Sequence, residues 1–160
     1  MSATLRPHRE MVLPEWADYN NHLNDGFYMV IFSHGTDHMM DQIGLDAAGR
    51  ERSQHSIFTA ELHLNYLKEV KVGAEARVET IFLGHDAKRL HIVHIMYVGD
   101  GTEPVAVNEQ MLLSMDMTGP RVAPFQPDVL AVIEKITAEH AKLPRPAQIG
   151  RAIGMPPRKG

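Results

Sequence analysis

Four stretches between Ile57 and Met117 alternate apolar and polar residues, and that period of two commits the middle of the chain to β-strands. From Ile57 to Lys68, Phe58, Ala60, Leu62, Leu64 and Tyr66 fall on one face, with Thr59, Glu61, His63 and Asn65 on the other. From Ala74 to Leu83, Ala76, Val78, Thr80 and Phe82 alternate with Glu75, Arg77 and Glu79. Arg89 to Val98 reads as a third strand. Val105 to Met117 reads as a fourth, with Val105, Val107, Met111, Leu113, Met115 and Met117 sharing a face. The links are short and glycine-bearing: Val72-Gly73, Gly84-His-Asp-Ala and Gly99-Asp-Gly101. Such links join antiparallel neighbours in a meander.

Two helices flank the strands. A short strand, Glu10 to Leu13, stops at Pro14 and leads through a polar loop to Asn24 or Asp25, either of which can cap a helix. That helix runs through Phe27, Tyr28, Val30, Ile31, Met39, Met40 and Ile43 to Gly44. Its first half is apolar nearly all round, the mark of a helix that is enclosed. Pro120, Pro124 and Pro127 end the strand pattern, and Val129, Val132, Ile133 and Ile136 then recur at helical spacing from Asp128 to Lys142. The expected organisation is a single α+β domain over residues 1–143, followed by a proline-rich basic tail, 144–160, that is extended or mobile. A curved antiparallel sheet would wrap the apolar helix, with a second helix at the C-terminal end. The long edge strand left over favours self-association as a homodimer or a dimer of dimers.

Composition removes several classes of function. The chain has 160 residues, 44% hydrophobic and 22% charged, with a formal net charge of −4. No long basic run offers a nucleic-acid surface. The absence of cysteine removes disulfides, thiolate metal sites and cysteine nucleophiles. Met1 to Leu13 is charged and lacks a secretory apolar core, and no stretch reaches the roughly 20 apolar residues of a membrane helix. A cytoplasmic protein without membrane or nucleic-acid partners is expected.

The densest polar cluster is Asp18, Asn20, Asn21, His22 and Asn24, immediately before the enclosed helix. The string Asp18-x-Asn20-x-His22-x-Asn24-x-x-x-Tyr28 resembles the signature of hot-dog thioesterases in the 4-hydroxybenzoyl-CoA thioesterase-like group, and of related acyl-ACP thioesterases. Glu61 to Gly73 resembles the second strand of that family and its turn. The resemblance spans residues 8–118 and implies the hot-dog fold and hydrolysis of an acyl-CoA thioester. It places Asp18 as the catalytic carboxylate, attacking the thioester carbonyl or activating water. It assigns His22 and Asn24 to orienting water or the carbonyl, and Asn20 to the same binding loop. Backbone N–H groups near Asn24 to Gly26 would polarise the carbonyl from the positive end of the helix dipole. Gly26 would let the acyl group approach closely. No cofactor is implied beyond the coenzyme A carried by the substrate, and the reaction needs no metal.

Other readings stand beside this one. Asp18 to Asn24 also suits a plain turn, and Asn24 a plain cap. Glu61, with His63 and Asn65, could orient a nucleophile, sit in solvent or pair with a second copy. His34, His38 and Asp41, with Asp37, lie near one helical face and could converge on a metal, or form a polar stripe. His91 and His94 face opposite sides of a strand and make a poor ligand pair. Trp16, Tyr19, Phe27, Tyr28 and Phe32 offer aromatic faces that attract a quaternary ammonium group. The string Leu13 to Asn24 is also similar to thioesterases of carnitine breakdown, which release betaine from betainyl-CoA. Lys68, Lys88 and Arg89 are candidates for holding CoA. A non-catalytic acyl-CoA-binding protein and an enoyl-CoA hydratase are the alternatives to hydrolysis, although the hydratase helical motif is not found.

Overall fold

The computed structural model describes residues 5–159. The outer limits of the sequence-based division, residues 1–4 and 160, lie outside the described residues. The strands are β1 (His8–Met11), β2 (His55–Tyr66), β3 (Glu75–His85), β4 (Arg89–Val98), β5 (Ala106–Asp116) and β6 (Arg121–Val122). The α-helices are α1 (Asp25–Gln42), α2 (Ala47–Ser53) and α3 (Pro127–His140). All strand pairings are antiparallel, in the order β1-β3-β4-β5-β2, with β6 added beside the end of β5. A helix held against one face of a curled antiparallel sheet is the α+β arrangement expected from the sequence.

Helix α1 is seated by close packing. Ile31 and Phe32 are fully buried, and Tyr28, Met39 and Met40 are nearly so. Gly35 allows the closest approach: a Cβ there would stand 3.0 Å from Cγ1 of Val78 on β3. Gly44, at φ +92°, ends the helix region as expected, in a conformation that glycine adopts without a Cβ penalty. The sequence reading missed α2, whose start is capped by Asp46 accepting from the Gly49 amide at 2.8 Å. Helix α3 packs Val129, Ile133 and Ile136 into the same core as Met39 and Met40 of α1 and Ile43 just after it.

Two strand expectations need correction. The β2–β5 register shifts between Thr59 and Glu61. A β-bulge there inserts an extra residue, so Phe58 no longer shares a face with Leu62, Leu64 and Tyr66. On β5, the apolar set Val107, Met111 and Leu113 points away from α1. The helix-facing set is Ala106, Asn108, Gln110, Leu112 and Ser114, all buried. The outer face is covered by the chain itself: Leu143 and Ile149 pack against a cluster of Ile81, Leu83, Val93, Ile95 and Val107. The Gly150 amide also donates to Glu109 at 2.7 Å. The first part of the proline-rich tail is therefore applied to the sheet, where the sequence suggested an extended segment, and residues 151–159 are exposed.

The core also holds neutral histidines. His94, fully buried, bonds Thr36 through Nε2 and Thr80 through Nδ1, each at 2.9 Å. Burial, with a smaller contribution from His8, pushes its imidazole down to about 3. His140 accepts the Phe82 amide at 2.9 Å through Nδ1, and burial lowers it too. The unfolded chain binds these protons near the ordinary histidine value of about 6.5, and the folded chain does so only at lower pH. Their contribution is complete above that value and fades as pH falls through it toward about 3. Thermal melts from about pH 7.5 to about pH 4.5 should show the melting temperature falling with acid. His94→Gln should melt lower at neutral pH but with a shallower slope. An equal slope in parent and variant would remove His94 from this account.

Candidate active site

The loop before α1 folds on its own polar side chains. Oδ1 of Asp18 accepts the Asn20 amide at 2.8 Å and the His22 amide at 3.0 Å. The Asp18 amide donates to the His22 carbonyl at 2.8 Å, closing a tight turn. Asn21 occupies its corner at φ 61°, a left-handed position that asparagine tolerates. Both side-chain bonds use Oδ1, which leaves Oδ2 outside the turn. Leu23 is buried and donates its amide to the Val70 carbonyl at 2.7 Å, fixing the loop to the segment after β2.

Asn24 is both cap and anchor. Its Oδ1 accepts the Gly26 amide at 3.1 Å, and its own amide donates to the Trp16 carbonyl at 2.9 Å. The capping reading therefore holds geometrically, whatever else Asn24 does. Gly26 also donates to Oδ1 of Asp25 at 2.8 Å, so its N–H is shared between two side chains. It is not the open donor the sequence suggested, and it becomes one only if both side chains yield to a substrate oxygen. The helix dipole still favours negative charge at this point.

The remaining expected residues divide into two sets. Asp18, Asn20, His22, Asn24 and Gly26 share the loop and the helix start. Trp16 is buried behind them, stacked on Phe27 with ring centroids 5.8 Å apart. Tyr28 is also buried; its hydroxyl donates to the Lys68 carbonyl at 3.0 Å, and its ring meets Tyr66 edge-on at 5.1 Å. Burial raises both tyrosines above the ordinary phenol value. Tyr19 is 97% exposed and touches none of the other aromatics, so no aromatic cage forms from the expected five. Phe32 lies in the core against His94. Glu61 is on the far face of the sheet, in a cleft of about 370 Å³ with His63, His91, Glu109 and Arg151, and does not join the loop. Lys68 is paired with Glu103 at 2.6 Å and Arg89 with Asp86 at 2.5 Å, while Lys88 stays exposed.

Sequence reasoning missed four neighbours. Glu69 approaches Nδ1 of His22 with Oε2 at 3.4 Å. Tyr66 reaches the start of α1, its hydroxyl donating to the Asp25 carbonyl at 2.9 Å. Asn108 and Gln110 face α1 from β5 while almost fully buried; Asn108 Oδ1 and both amide atoms of Gln110 have no hydrogen-bond partner among the described residues. Unmade bonds of this kind are costly in a core and mark groups held for water or ligand. Their signal in the sequence was polarity at alternate positions of an otherwise apolar strand. The histidines of α1 go elsewhere than expected: His34 turns to Glu10 of β1, while Asp37 and Asp41 are exposed.

The thioesterase-like superfamily model matches residues 12–133, from the end of β1 into α3. The chain belongs to that family. A betainyl-CoA thioesterase of Pseudomonas aeruginosa is 51% identical over 157 residues, covering 98% of this chain and 99% of the relative. An L-carnitine dehydrogenase/betainyl-CoA thioesterase of Agrobacterium fabrum is 39% identical over 93% of this chain, which spans 30% of that longer protein. Among solved structures, a Staphylococcus aureus protein in complex with CoA matches with a TM-score of 0.86 and 28% identity, covering 98% of this chain and all of the other. A Pseudomonas putida KT2440 protein, described as a candidate thioesterase, matches with a TM-score of 0.81 and 41% identity over 94% and 96% of the two chains. The fold is that of the hot-dog thioesterases.

The geometry separates the cap from the chemistry at Asn24. Asn24→Ala should lower unfolding stability by about 1 kcal/mol in urea titrations, the usual value of a lost cap. Asn24→Ser should restore most of it. If Asn24 acts chiefly by fixing the helix start, the serine variant should also regain hydrolysis. Stability regained without activity would give the amide a direct part in the reaction.

Proposed function

We propose that the protein hydrolyses an acyl-CoA thioester, with betainyl-CoA as the substrate and betaine and free CoA as products. One observation carries this reading: 51% identity along nearly the whole of both chains to a betainyl-CoA thioesterase. The loop geometry supports it. Asp18 is held by two amides through Oδ1, which leaves its second oxygen outside those bonds. Whether that oxygen attacks the carbonyl carbon or takes a proton from water that does, the sum is the same. A carbon–oxygen bond forms, the carbon–sulfur bond breaks, and the CoA thiolate is protonated. The helix dipole stabilises the developing oxyanion, joined by the Gly26 amide once Asn24 and Asp25 release it. In this reading His22, whose Nδ1 lies 3.4 Å from Glu69, carries a proton between water and the leaving sulfur. The reaction asks for no carrier beyond the CoA in its substrate. Tyr66, half-exposed at the helix start and backed by the buried Tyr28, offers a ring face to a quaternary ammonium, a role in which it replaces the exposed Tyr19.

The active assembly, in this reading, is at least a dimer paired through β2. That strand lies at the sheet edge and is long, 12 residues. It leaves Phe58 43%, Leu62 42% and Tyr66 51% exposed in the single chain. A second copy laid along it would cover these side chains and pair the open backbone edge. No helix among the described residues is long and apolar enough to cross a membrane. We place the reaction in the cytoplasm, the compartment that a cysteine-free chain suits.

Thiol release should be measured on a panel of acyl-CoAs that includes betainyl-CoA. The parent should prefer betainyl-CoA, and Asp18→Asn should lose about a hundredfold to ten-thousandfold in kcat. Asparagine can still accept both loop amides through Oδ1, so folding should survive and the loss should report on the charge. Background turnover by the parent, with CoA esters still bound, would turn the reading toward a binding protein. Separately, sedimentation should find the parent as a dimer or larger. Phe58→Lys combined with Leu62→Lys should shift it toward monomer and lower activity together.

A further inference from the structure

Three donors of mixed chemistry converge where β1 meets α1, outside the residues assigned to hydrolysis. His8 and Glu10 stand two residues apart on β1, so the strand period directs both side chains to one side. His34 reaches them from α1. Nε2 of His8 lies 2.9 Å from Oε1 of Glu10, and Nδ1 of His34 lies 2.8 and 3.0 Å from the two Glu10 oxygens. One nitrogen of each ring and a carboxylate oxygen all lie within 4.8 Å of one another.

We propose that His8, Glu10 and His34 form a binding site for a divalent transition ion, with zinc(II) the best match. Two imidazoles and one carboxylate are a ligand set that zinc takes up at about 2.0–2.2 Å per bond, keeping a further position open. Donors already within 4.8 Å of one another need only small side-chain rotations to surround such an ion. Imidazole nitrogen favours zinc, copper or nickel over magnesium and calcium, which prefer oxygen. Without an ion, both rings must turn an N–H toward the same carboxylate; an ion takes the place of those protons. A second observation points the same way. His38, one helical turn beyond His34, has its ring centroid 5.7 Å from that of His8, and its Nε2 is buried without a hydrogen-bond partner. A buried nitrogen left without a bond is costly, so His38 adds an imidazole with bonding capacity to spare next to the three donors.

The side chain of His34 is 44% exposed, which leaves an entry path for the ion. Its ring also lies 6.5 Å from that of Trp16, whose carbonyl accepts the Asn24 amide. An ion here would clamp β1 to α1 next to the support of the catalytic loop and stabilise the folded chain by mass action. It takes no part in bond breaking.

The test uses the full chain, stripped with EDTA and titrated with zinc chloride in a calorimeter, with magnesium chloride as comparison. The parent should bind about one zinc per chain, melt higher with zinc and show no response to magnesium. Glu10→Gln and His34→Gln, checked as folded by their metal-free melting curves, should each weaken binding at least about tenfold, since even outer-shell partners cost that much. Asp18→Asn should bind zinc as the parent does, which separates this site from the hydrolytic reading. No zinc uptake by the parent, or uptake of equal strength in the Glu10 and His34 variants, would overturn the proposal.

Discussion

The contact between α1 and the sheet sets the position of everything that bears on chemistry. Ile31 and Phe32 are sealed from solvent, and Gly35 brings the helix so close to Val78 that even a methyl group there would crowd it. A helix held that firmly has a fixed start. Asn24 caps that start and reaches back to Trp16, Leu23 is tied to Val70, and Trp16 stacks on Phe27 one turn in. The loop of Asp18 is thus bound at both ends to packed structure, which is how a segment of short polar residues keeps one conformation. Precision at the carboxylate comes from apolar packing several residues away.

The same face of the sheet carries an unusual load of polar groups. His94, bonded to Thr36 and Thr80, is fully satisfied and stays neutral. Asn108 and Gln110 are buried with bonds unmade. The first arrangement fixes the helix against the strands. The second keeps hydrogen-bonding capacity in reserve beside it, at a cost in stability that a purely structural core would not retain.

Much of this could be read from residues alone, and the failures share a cause. The helix was legible from Phe27 to Gly44 because capping, apolar periodicity and a left-handed glycine are local signals. The loop was legible because Asp18, Asn20, His22 and Asn24 are close in sequence. The β2 bulge was not, because alternation continues through Thr59 to Glu61 and only the partner strand reveals the extra residue. The outward aim of the β5 apolar set depends on Leu143 and Ile149, far along the chain. The grouping of His34 with His8 and Glu10, in place of Asp41, needed the docking of α1 against β1. Glu61 drew attention by its motif, and its alternation with Leu62 and Leu64 puts it on the face of the sheet away from the loop. In the other cases the deciding neighbour is remote in sequence, where spacing rules carry no information.

The turn at Asp18 has a consequence for descent. Its shape rests on a side-chain oxygen that asparagine also possesses, so the charge can be lost while the conformation persists. Folding selection therefore does little to guard the carboxylate; under the proposed mechanism only selection for turnover does. A lineage released from that second pressure can drift into a population of intact ligand-binding relatives, reached by one substitution and reversible by one. Under that mechanism, catalytic and non-catalytic forms of this chain would lie one substitution apart, with no folding barrier at the turn between them.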